Sequence, residues 1–461
     1  MLSIGIDFGT SNSSVAVFDP SAPLRAGGRE VRLLPLDPLG RNPQVMRSLL
    51  YITREGGIVT GQRALDLYTE QNTGREVKLE RRYIGEVKMT FSDMTLVKDA
   101  FALVDVNEPG RLFQSLKRFL SVTSFKKTNV FGSEYRLEEL VATLAGQMVR
   151  AAEAALGEPV RELVVGRPVR FSEDPRKDEA ARERLTEAWS LVGVDRVRFV
   201  EEPVGAAHHY AAEAQLEPGT RLLVFDFGGG TLDITVARAG RDGIEVLATG
   251  GVPIGGDLLD SRIMETRIAQ HFGRGAHYQP HGASTGSGQR LPLPGHLFSR
   301  LRSWQSIVEL NRPDLLSLIR EAKRASDRPR ELARLEAMVT RNFGLAVFRA
   351  IEDAKIDLST DDEAVVRLPH WEIDLEQPLT RPEFEAAISA QVRAAHQCVR
   401  DTVGRAGCEP GEIAVVITTG GSSLIPAFRR MLSESLPRAS LAEADTFTSV
   451  AAGLALAGAR E

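Results

Sequence analysis

The sequence predicts an α/β protein with two similar lobes, each containing a mixed sheet flanked by helices. Residues 222–237 read LLVFDFGGGTLDITVA: an apolar run to Asp226, a turn of three glycines and a returning alternating run. Residues 4–18, IGIDFGTSNSSVAVF, repeat this layout around Asp7. A repeat at such a distance indicates two related lobes. The strand–helix alternation over 163–214 predicts a mostly parallel sheet covered by helices.

Composition narrows the class of protein. The 461-residue chain is 43% hydrophobic and 26% charged, which allows a large core, and its net charge of −5 argues against a nucleic-acid partner. Cys398 and Cys408 are too few for a disulfide framework and indicate a reducing compartment. The N-terminus lacks the features of a signal peptide, and no run approaches the ~20 apolar residues of a spanning helix. We therefore expect a soluble, cytoplasmic protein without a membrane partner.

The two glycine turns have the residue types of a phosphate-binding site. Three successive glycines, Gly228–Gly230, let backbone N–H groups approach a bulky anion closely. Asp226 and Asp233 flank this turn with the hard carboxylate oxygens that suit a hydrated Mg²⁺. The alternative is an ordinary glycine hairpin with solvated carboxylates. Because ligands of α/β sheets bind at strand ends, two facing hairpins would hold a polyphosphate between the lobes.

In the first half of the chain, hydrophobic spacing and turn residues predict alternating strands and helices. Residues 112–120 fit one helix, which places Lys117 beside its apolar face, where an isolated lysine is usually solvated. Residues 75–110 show no clear pattern. The other predictions are strands at 2–6, 48–52, 58–60, 163–166 and 197–200 and helices at 61–68, 135–156, 176–192 and 204–214.

The second half is predicted to be mainly helical. Asp257 caps a helix that follows a glycine-rich connection, and Thr380 and Glu383 form a capping box at the start of another. The predicted helical ranges are 297–360 (broken near Pro313 and Pro329), 381–404, 425–432 and 449–459, the last rich in small residues that permit close contact with a sheet.

A strand at 413–419 is predicted ahead of the helix at 425–432. It ends in Gly420 and Gly421. A buried strand that ends in glycines at a helix N-terminus favours anion or nucleotide binding through free N–H groups and the helix dipole.

Five motifs in order resemble one family. They are IGIDFGTSNS, EEPVGAA, FDFGGGTLD, IGGDLLD and ITTGGSSLIP. The set is similar to the nucleotide-binding domain of the 70-kDa heat-shock chaperones (DnaK-like), and most similar to the short YegD-type proteins that lack the substrate-binding domain. The resemblance implies the actin-like ATPase fold, with a nucleotide cleft between a lobe at 1–215 (insertion about 75–110) and a lobe at 216–461 (helical insertion about 273–345).

The resemblance also implies roles for individual residues. Asp7 and Asp226 match the carboxylates that hold Mg²⁺ through water. Lys117 matches the catalytic lysine, Glu202 and Asp233 match polar residues near the attacking water, and Thr231 is assigned to the catalytic set with them. Pro168 resembles a proline that relays nucleotide state. The ATP/ADP-binding residues implied are Gly9, Thr10, Ser11, Asn12, Gly228, Gly229, Gly230, Thr231, Gly255, Gly256, Asp257, Glu352, Lys355, Ser359, Gly420, Gly421 and Ser422.

Four residues depart from the family pattern. Ile356 and Leu424 replace arginines that stack on the adenine base, and Thr446 and Phe447 replace a proline–aspartate pair. Aliphatic side chains reproduce only the apolar packing of a stacked guanidinium. Base specificity is therefore open.

The function implied is a Mg²⁺-dependent, slowly hydrolysing ATPase that acts as a nucleotide-driven switch, with unfolded proteins or co-chaperones as partners by family analogy. Phosphoryl transfer to water needs alignment and charge neutralisation, which these residue types supply. Two alternatives remain. A filament-forming actin-like ATPase would change particle size with ATP, and a small-metabolite kinase would form ADP only when its metabolite is present.

Overall fold

The computed structural model describes residues 2–20, 31–91, 94–214, 216–241, 243–280, 290–443 and 448–459. Thr446 and Phe447, two of the departures noted above, lie outside these ranges. The chain divides into two compact units: Met1–Leu67, Arg111–Leu259 and Ile388–Glu461 form the first, and Tyr68–Gly110 and Asp260–Ala387 form the second. The lobe boundary expected near residue 215 stays a prediction.

The strands in chain order are β1 Ser3–Phe8, β2 Asn12–Phe18, β3 Val31–Leu33, β4 Val45–Arg47, β5 Leu49–Thr53, β6 Ile58–Thr60, β7 Leu79–Phe91, β8 Met94–Asp105, β9 Gly110–Gln114, β10 Lys127–Val130, β11 Ser133–Arg136, β12 Glu162–Arg167, β13 Arg196–Glu201, β14 Arg221–Phe227, β15 Leu232–Ala239, β16 Ile244–Val252, β17 His277–Tyr278, β18 Leu291–Pro292, β19 Glu363–Leu368, β20 Leu375–Thr380, β21 Ile413–Thr419 and β22 Ser440–Glu443.

The α-helices are α1 Gly61–Asn72, α2 Leu137–Leu156, α3 Pro175–Ser190, α4 Glu202–Ala214, α5 Gly256–Ile263, α6 Gly295–Ser299, α7 Trp304–Ile307, α8 Pro313–Ala325, α9 Pro329–Thr340, α10 Gly344–Asp357, α11 Arg381–Ala387, α12 Ser389–Arg405, α13 Pro426–Ser435 and α14 Ser449–Ala459. Short 3₁₀ helices include Leu116–Phe119 and Gly421–Leu424.

Two sheets of the first unit have the same arrangement of antiparallel and parallel strands. The first has the order β3-β2-β1-β12-β13, with β4 also paired to β2, and the second has the order β16-β15-β14-β21-β22. In each, two antiparallel pairings are followed by two parallel ones. The repeat seen in the sequence is therefore a repeat of the fold, and the mixed sheets match the predicted α/β class.

Helices α4 and α14 share a core with strands of both sheets. Apolar residues of the two helices and of β12, β14, β15 and β21 form this core. The small residues of α14 explain how closely it packs: a Cβ added at Gly453 would lie 1.7 Å from the Gly205 carbonyl oxygen of α4. A Cβ added at Gly5 of β1 would lie 2.2 Å from the Ala451 carbonyl oxygen. Backbone therefore packs directly on backbone at both contacts.

Several sequence predictions need correction. Residues 112–120 do not form one helix: β9 ends at Gln114, Ser115 has φ +58°, and a 3₁₀ helix follows. A left-handed residue ends the regular hydrogen bonding, so helical spacing of apolar residues misleads here. The predicted helix 381–404 is divided at Ile388 into α11 and α12. Pro313 and Pro329 each occupy the first position of a helix, where proline is tolerated.

The second unit consists mainly of helices α6–α11 with the hairpins β7–β8 and β19–β20. The predicted capping box is present: the Thr380 N–H donates to Glu383 Oε2 (3.0 Å), and the Glu383 N–H donates to Thr380 Oγ1 (3.4 Å). Residues 75–110, which showed no clear pattern, contain the strands of the β7–β8 hairpin.

Candidate phosphate-binding site

The two hairpins place their aspartates at equivalent positions. Asp7 is the penultimate residue of β1 and pairs with Ser14 of β2, while Asp226 is the penultimate residue of β14 and pairs with Asp233 of β15. Directly opposed residues of an antiparallel pair lie on the same face of the sheet. Asp226 and Asp233 therefore share one face beside the glycine turn.

The turns that follow the two aspartates touch each other. A Cβ added at Gly229 would lie 2.1 Å from Ser11 Oγ, and one added at Gly230 would lie 3.5 Å from Thr10 Cγ2. A Cβ at Gly229 would therefore force the Ser11 hydroxyl to rotate away from its position. Both loops belong to the first unit, and they approach each other closely at this glycine.

The loop at 255–257 packs against the second turn through its backbone. The Gly256 N–H donates to the Gly228 carbonyl (3.1 Å), and the Asp257 N–H donates to the Gly229 carbonyl (2.9 Å). A Cβ added at Gly255 would lie 2.2 Å from the Gly229 oxygen. These contacts fix the second turn from one side.

The glycine pair after β21 supports the second turn as well. Gly420 has φ +78°, and a Cβ added there would lie 2.3 Å from the Phe227 carbonyl oxygen. The Ser422 hydroxyl donates to the Gly228 carbonyl (3.2 Å). The first turn, the loop at 255–257 and the glycine pair after β21 thus all pack against the second turn.

A cavity of about 260 Å³ opens between these segments in the first unit. Its lining residues are Asp7, Gly9, Thr10, Ser11, Asn12, Lys117, Arg118, Ser121, Pro168, Arg170, Phe171, Glu202, Asp226, Gly228, Gly229, Gly230, Thr231, Asp233, Thr419, Gly420, Gly421 and Val450. Both turns, both aspartates and the predicted catalytic residues therefore line one cavity.

Lys117 is the buried cation of this cavity. Its side chain is 6% exposed, and its Nζ donates to Glu202 Oε1 in an ion pair. The expectation that an isolated lysine here would be solvated is wrong, because the 3₁₀ helix turns Lys117 inward. Burial lowers the pKa of Lys117, but the negative charges of Glu202, Asp7 and Asp226 raise it above its ordinary value, so the ammonium stays charged.

The carboxyl groups around Lys117 lie close together, and their negative charges repel one another. Burial and the charge of Glu202 raise the pKa of Asp7 to about 7 and that of Asp233 to about 6. Burial, Glu202, Asp233 and Asp7 raise the pKa of Asp226 well above its ordinary value. One ammonium does not balance this group of carboxylates, and a further cation in the cavity would stabilise their ionised forms.

This donor set suits a magnesium ion held through water. Among the described residues, no three His, Cys, Asp or Glu side chains are placed to hold a metal directly. Mg²⁺ commonly keeps several waters and is bound by one or two carboxylates together with substrate phosphates. Asp7 and Asp226, near the ends of β1 and β14, both line the cavity and fit that mode.

Thr231 and Asp233 form a second polar pair in the cavity. The Thr231 hydroxyl donates to Asp233 Oδ2 (3.0 Å), which lowers the pKa of Asp233 and partly offsets the effect of burial. This bond fixes the carboxylate orientation beside the glycine turn.

Three of the predicted nucleotide-binding residues lie in the second unit. Glu352 and Lys355 are on α10, and Ser359 follows it and donates to the Lys355 carbonyl (3.4 Å). The Lys355 ammonium pairs with Asp260 at 2.8 and 2.9 Å, and both side chains are 11% exposed. The roles of these residues in nucleotide binding stay predictions.

Sequence reasoning missed part of the cavity lining. Ser121, Arg170 and Phe171 were not singled out, and neither was Arg118, although it is adjacent to Lys117. Adjacency to a candidate catalytic residue is the signal that could have identified Arg118. Ser121 and Arg170 follow no glycine or carboxylate motif, so the sequence carried no comparable signal for them.

Gly255→Ala is expected to weaken binding of Mg²⁺–ATP by about 10-fold or more, because its methyl group would displace the Gly229 carbonyl and the phosphate turn with it. Isothermal titration calorimetry measures the effect. Gly295→Ala is the matched control, since a Cβ added at Gly295 meets nothing within 4 Å. Equal affinities of the two variants would contradict the prediction.

Comparison with known proteins agrees with this geometry. The chain matches the family model described as Hsp70 protein over residues 119–279 and 339–459. The chain belongs to the Hsp70 family. Its fold is therefore the actin-like ATPase fold, as the duplicated mixed sheets indicate. The match within the family to the short YegD-type proteins stays a prediction.

One curated relative extends the similarity beyond the matched segments. The chain is 23% identical to the chaperone protein DnaK of Cenarchaeum symbiosum (strain A) over 460 residues, which is 98% of this chain and 53% of that protein. The chain thus spans about half the length of this relative. None of the helices within the described ranges combines the length and apolar character needed to span a membrane.

Proposed function

We propose that this Hsp70-family chain binds Mg²⁺–ATP and hydrolyses it slowly, as a chaperone-related conformational switch. The observation that carries the proposal is the buried Lys117–Glu202 pair, which lies in one cavity with both glycine turns and with Asp7 and Asp226. Facing backbone N–H groups, one buried cation and two carboxylates at strand ends are the parts that phosphoryl transfer requires.

Different groups of the chain would bind the phosphates, hold Mg²⁺ and neutralise charge in the transition state. The backbone of Gly228–Gly230 and of the first turn, with the Thr10 and Ser11 hydroxyls, would hold the phosphate oxygens. Mg²⁺ bound through water to Asp7 and Asp226 would supply positive charge against those oxygens. The Lys117 ammonium would neutralise charge that develops in the transition state.

Asp233 is the better candidate to orient the attacking water. Glu202 Oε1 is held by the Lys117 ammonium, whereas Asp233 accepts a hydrogen bond from the Thr231 hydroxyl. A carboxylate that is already oriented in the cavity is suited to align a water molecule and to accept its proton. Glu202 would then position Lys117, and Asp233 would align the water. Clients and co-chaperones, as well as a slow rate suited to switching, remain proposals from family analogy.

The direct test is a calorimetric titration of the full chain with ATP, ADP and GTP, each with and without Mg²⁺. We expect ATP and ADP to bind and Mg²⁺ to tighten ATP binding. Asp7→Asn with Asp226→Asn should lower the Mg²⁺-dependent gain in affinity by about 10-fold or more, because the carboxylates no longer hold the hydrated ion. Absence of binding by all three nucleotides would overturn the proposed function.

The GTP arm tests base specificity. Ile356 is 42% exposed in the second unit, and Leu424 is half-buried in the first. Neither can provide the planar cationic contact that an arginine gives a purine. A preference for ATP over GTP would show that other groups read the adenine edge. Equal affinities would limit the recognition to the phosphates.

A further inference from the structure

Arg167 lies at the edge of the cavity and is the last residue of β12. Its register partner on β13 is Glu201, the last residue of that strand. Glu202, which holds the Lys117 ammonium, comes next and begins α4. Three of the four residues after Arg167 line the cavity: Pro168, Arg170 and Phe171. The Arg167–Glu201 pair therefore lies where two segments of the chain enter the site.

One guanidinium joins these two segments. Arg167 Nη2 donates to Glu201 Oε1 (3.0 Å), and its Nη1 donates to the carbonyls of Pro168 (3.0 Å) and Val169 (2.8 Å). The side chains of Arg167 and Glu201 are 20% and 24% exposed. Hydrogen bonds between charged groups are stronger than neutral ones, and partial burial reduces their screening by salt. The loop after β12 is thus tied to the end of β13 through one side chain.

The Glu202 side chain packs against the same stretch of β12. A Cβ added at Gly166 would lie 2.9 Å from Glu202 Cγ. Gly166 therefore contacts Glu202, and its neighbour Arg167 holds Glu201. The position of the Glu202 carboxylate, and with it that of the Lys117 ammonium, depends on how the ends of β12 and β13 are aligned.

A second arginine–glutamate pair joins the same two strands at their opposite ends. Arg196 Nη1 donates to Glu162 Oε1 (2.8 Å), and these two residues are also register partners. Their side chains are 78% and 61% exposed, so this pair should contribute little to stability. The two pairs have the same chemistry and join the same strands, but the Arg167 pair adjoins the cavity.

We propose that Arg167 is a positioning residue for ATP hydrolysis, which fixes Glu202, and through it the Lys117 ammonium, in the arrangement that turnover requires. Arg167 acts through Glu201 and the loop after β12, without contacting the nucleotide. When the guanidinium is removed, the two strand ends are joined less rigidly, and Glu202 and Lys117 adopt the productive geometry less often. The glycine turns that would bind the phosphates stay in place. This inference rests on the proposed function, since it assigns a role in the same reaction.

The test is steady-state ATPase kinetics of the full chain with Mg²⁺, which gives kcat and KM for matched variants. We expect Arg167→Ala to lower kcat by about 10-fold and to change KM by less than about 2-fold, because it disturbs the alignment and leaves the phosphate-binding turns intact. Arg167→Lys should recover part of kcat, since an ammonium can pair with Glu201 but cannot also hold both carbonyls. The double variant Arg167→Ala/Glu201→Gln should have the kcat of Arg167→Ala, because the two residues act as one unit.

Arg196→Ala is the matched control, since it breaks the pair at the opposite ends of β12 and β13, and it should keep the kcat of the wild type. Circular dichroism checks that each variant is folded. An unchanged kcat in Arg167→Ala (or in Arg167→Lys, if the alanine variant is not folded) would overturn the inference and leave the proposed function intact. An equal loss in Arg196→Ala, or a change confined to KM, would do the same. A wild type that hydrolyses no ATP would overturn both.

Discussion

Lys117→Ala should lower the rate of ATP hydrolysis by about 100- to 1,000-fold, the usual cost of removing one preorganised donor from a transition state. Lys117 is the buried cation of the cavity and is charged at neutral pH. Its loss should affect binding of Mg²⁺–ATP much less, because the backbone N–H groups of both turns remain. A radiolabelled ATPase assay with a parallel binding titration separates the two effects.

The removal of Lys117 also leaves Glu202 without its cation. Breaking a buried pair costs about 3–5 kcal/mol of stability, so Lys117→Ala alone could lose activity by unfolding. The double variant Lys117→Ala/Glu202→Gln removes the stranded charge, and its thermal midpoint should recover toward the wild type while its turnover stays low. Lys127→Ala is the matched control, since Lys127 is 59% exposed. Equal, measurable turnover in Lys117→Ala and the wild type would remove the catalytic assignment.

Gly453→Ala is expected to lower the free energy of unfolding by about 3 kcal/mol, at the upper end of the usual cost of overpacking a core. The added methyl group would lie 1.7 Å from the Gly205 carbonyl oxygen, so α14 and α4 must separate. Backbone atoms cannot move aside as a flexible side chain can. Urea unfolding followed by circular dichroism measures the change.

The control for this variant is Gly404→Ala, near the end of α12. A Cβ added at Gly404 meets nothing within 4 Å, and alanine has a higher helix propensity than glycine. We expect stabilisation of about 0.5–1 kcal/mol. The same glycine-to-alanine change should therefore have opposite signs in the two helices. Destabilisation of equal size at both positions would show that the close contact of α14 with α4 is not the cause.

The sequence indicated many of the residues that line the cavity, but it did not predict the backbone conformation that brings Lys117 there. Asp7, Asp226 and the glycine turns were recognisable because their geometry is local: a strand end, an acid and residues that accept tight turns. The burial of Lys117, in contrast, could not be recognised from the pattern of neighbouring residues. Periodicity over 112–120 fits a helix, and it carries no sign that Ser115 adopts φ +58° and directs Lys117 inward.

Contacts between distant segments also escaped prediction. That Ser11 abuts Gly229, or that Gly255 abuts the same residue, depends on how two sheets meet, and no spacing in the chain encodes it directly. The small-residue pattern of 449–459 did predict close packing, because small side chains have few other uses in a buried helix. It did not identify Gly205 as the partner on α4.

The contacts of α14 have a mechanical consequence. The helix touches β1, the strand that ends near Asp7, and α4, the helix that begins at Glu202. At Gly5 and Gly205 these contacts join backbone to backbone, so no side-chain rotamer can absorb a small displacement. The packing of α14 against β1 and α4 is therefore rigid. A ligand that shifts Glu202 should also shift β1, so the carboxylates of Glu202 and Asp7 should move together rather than separately.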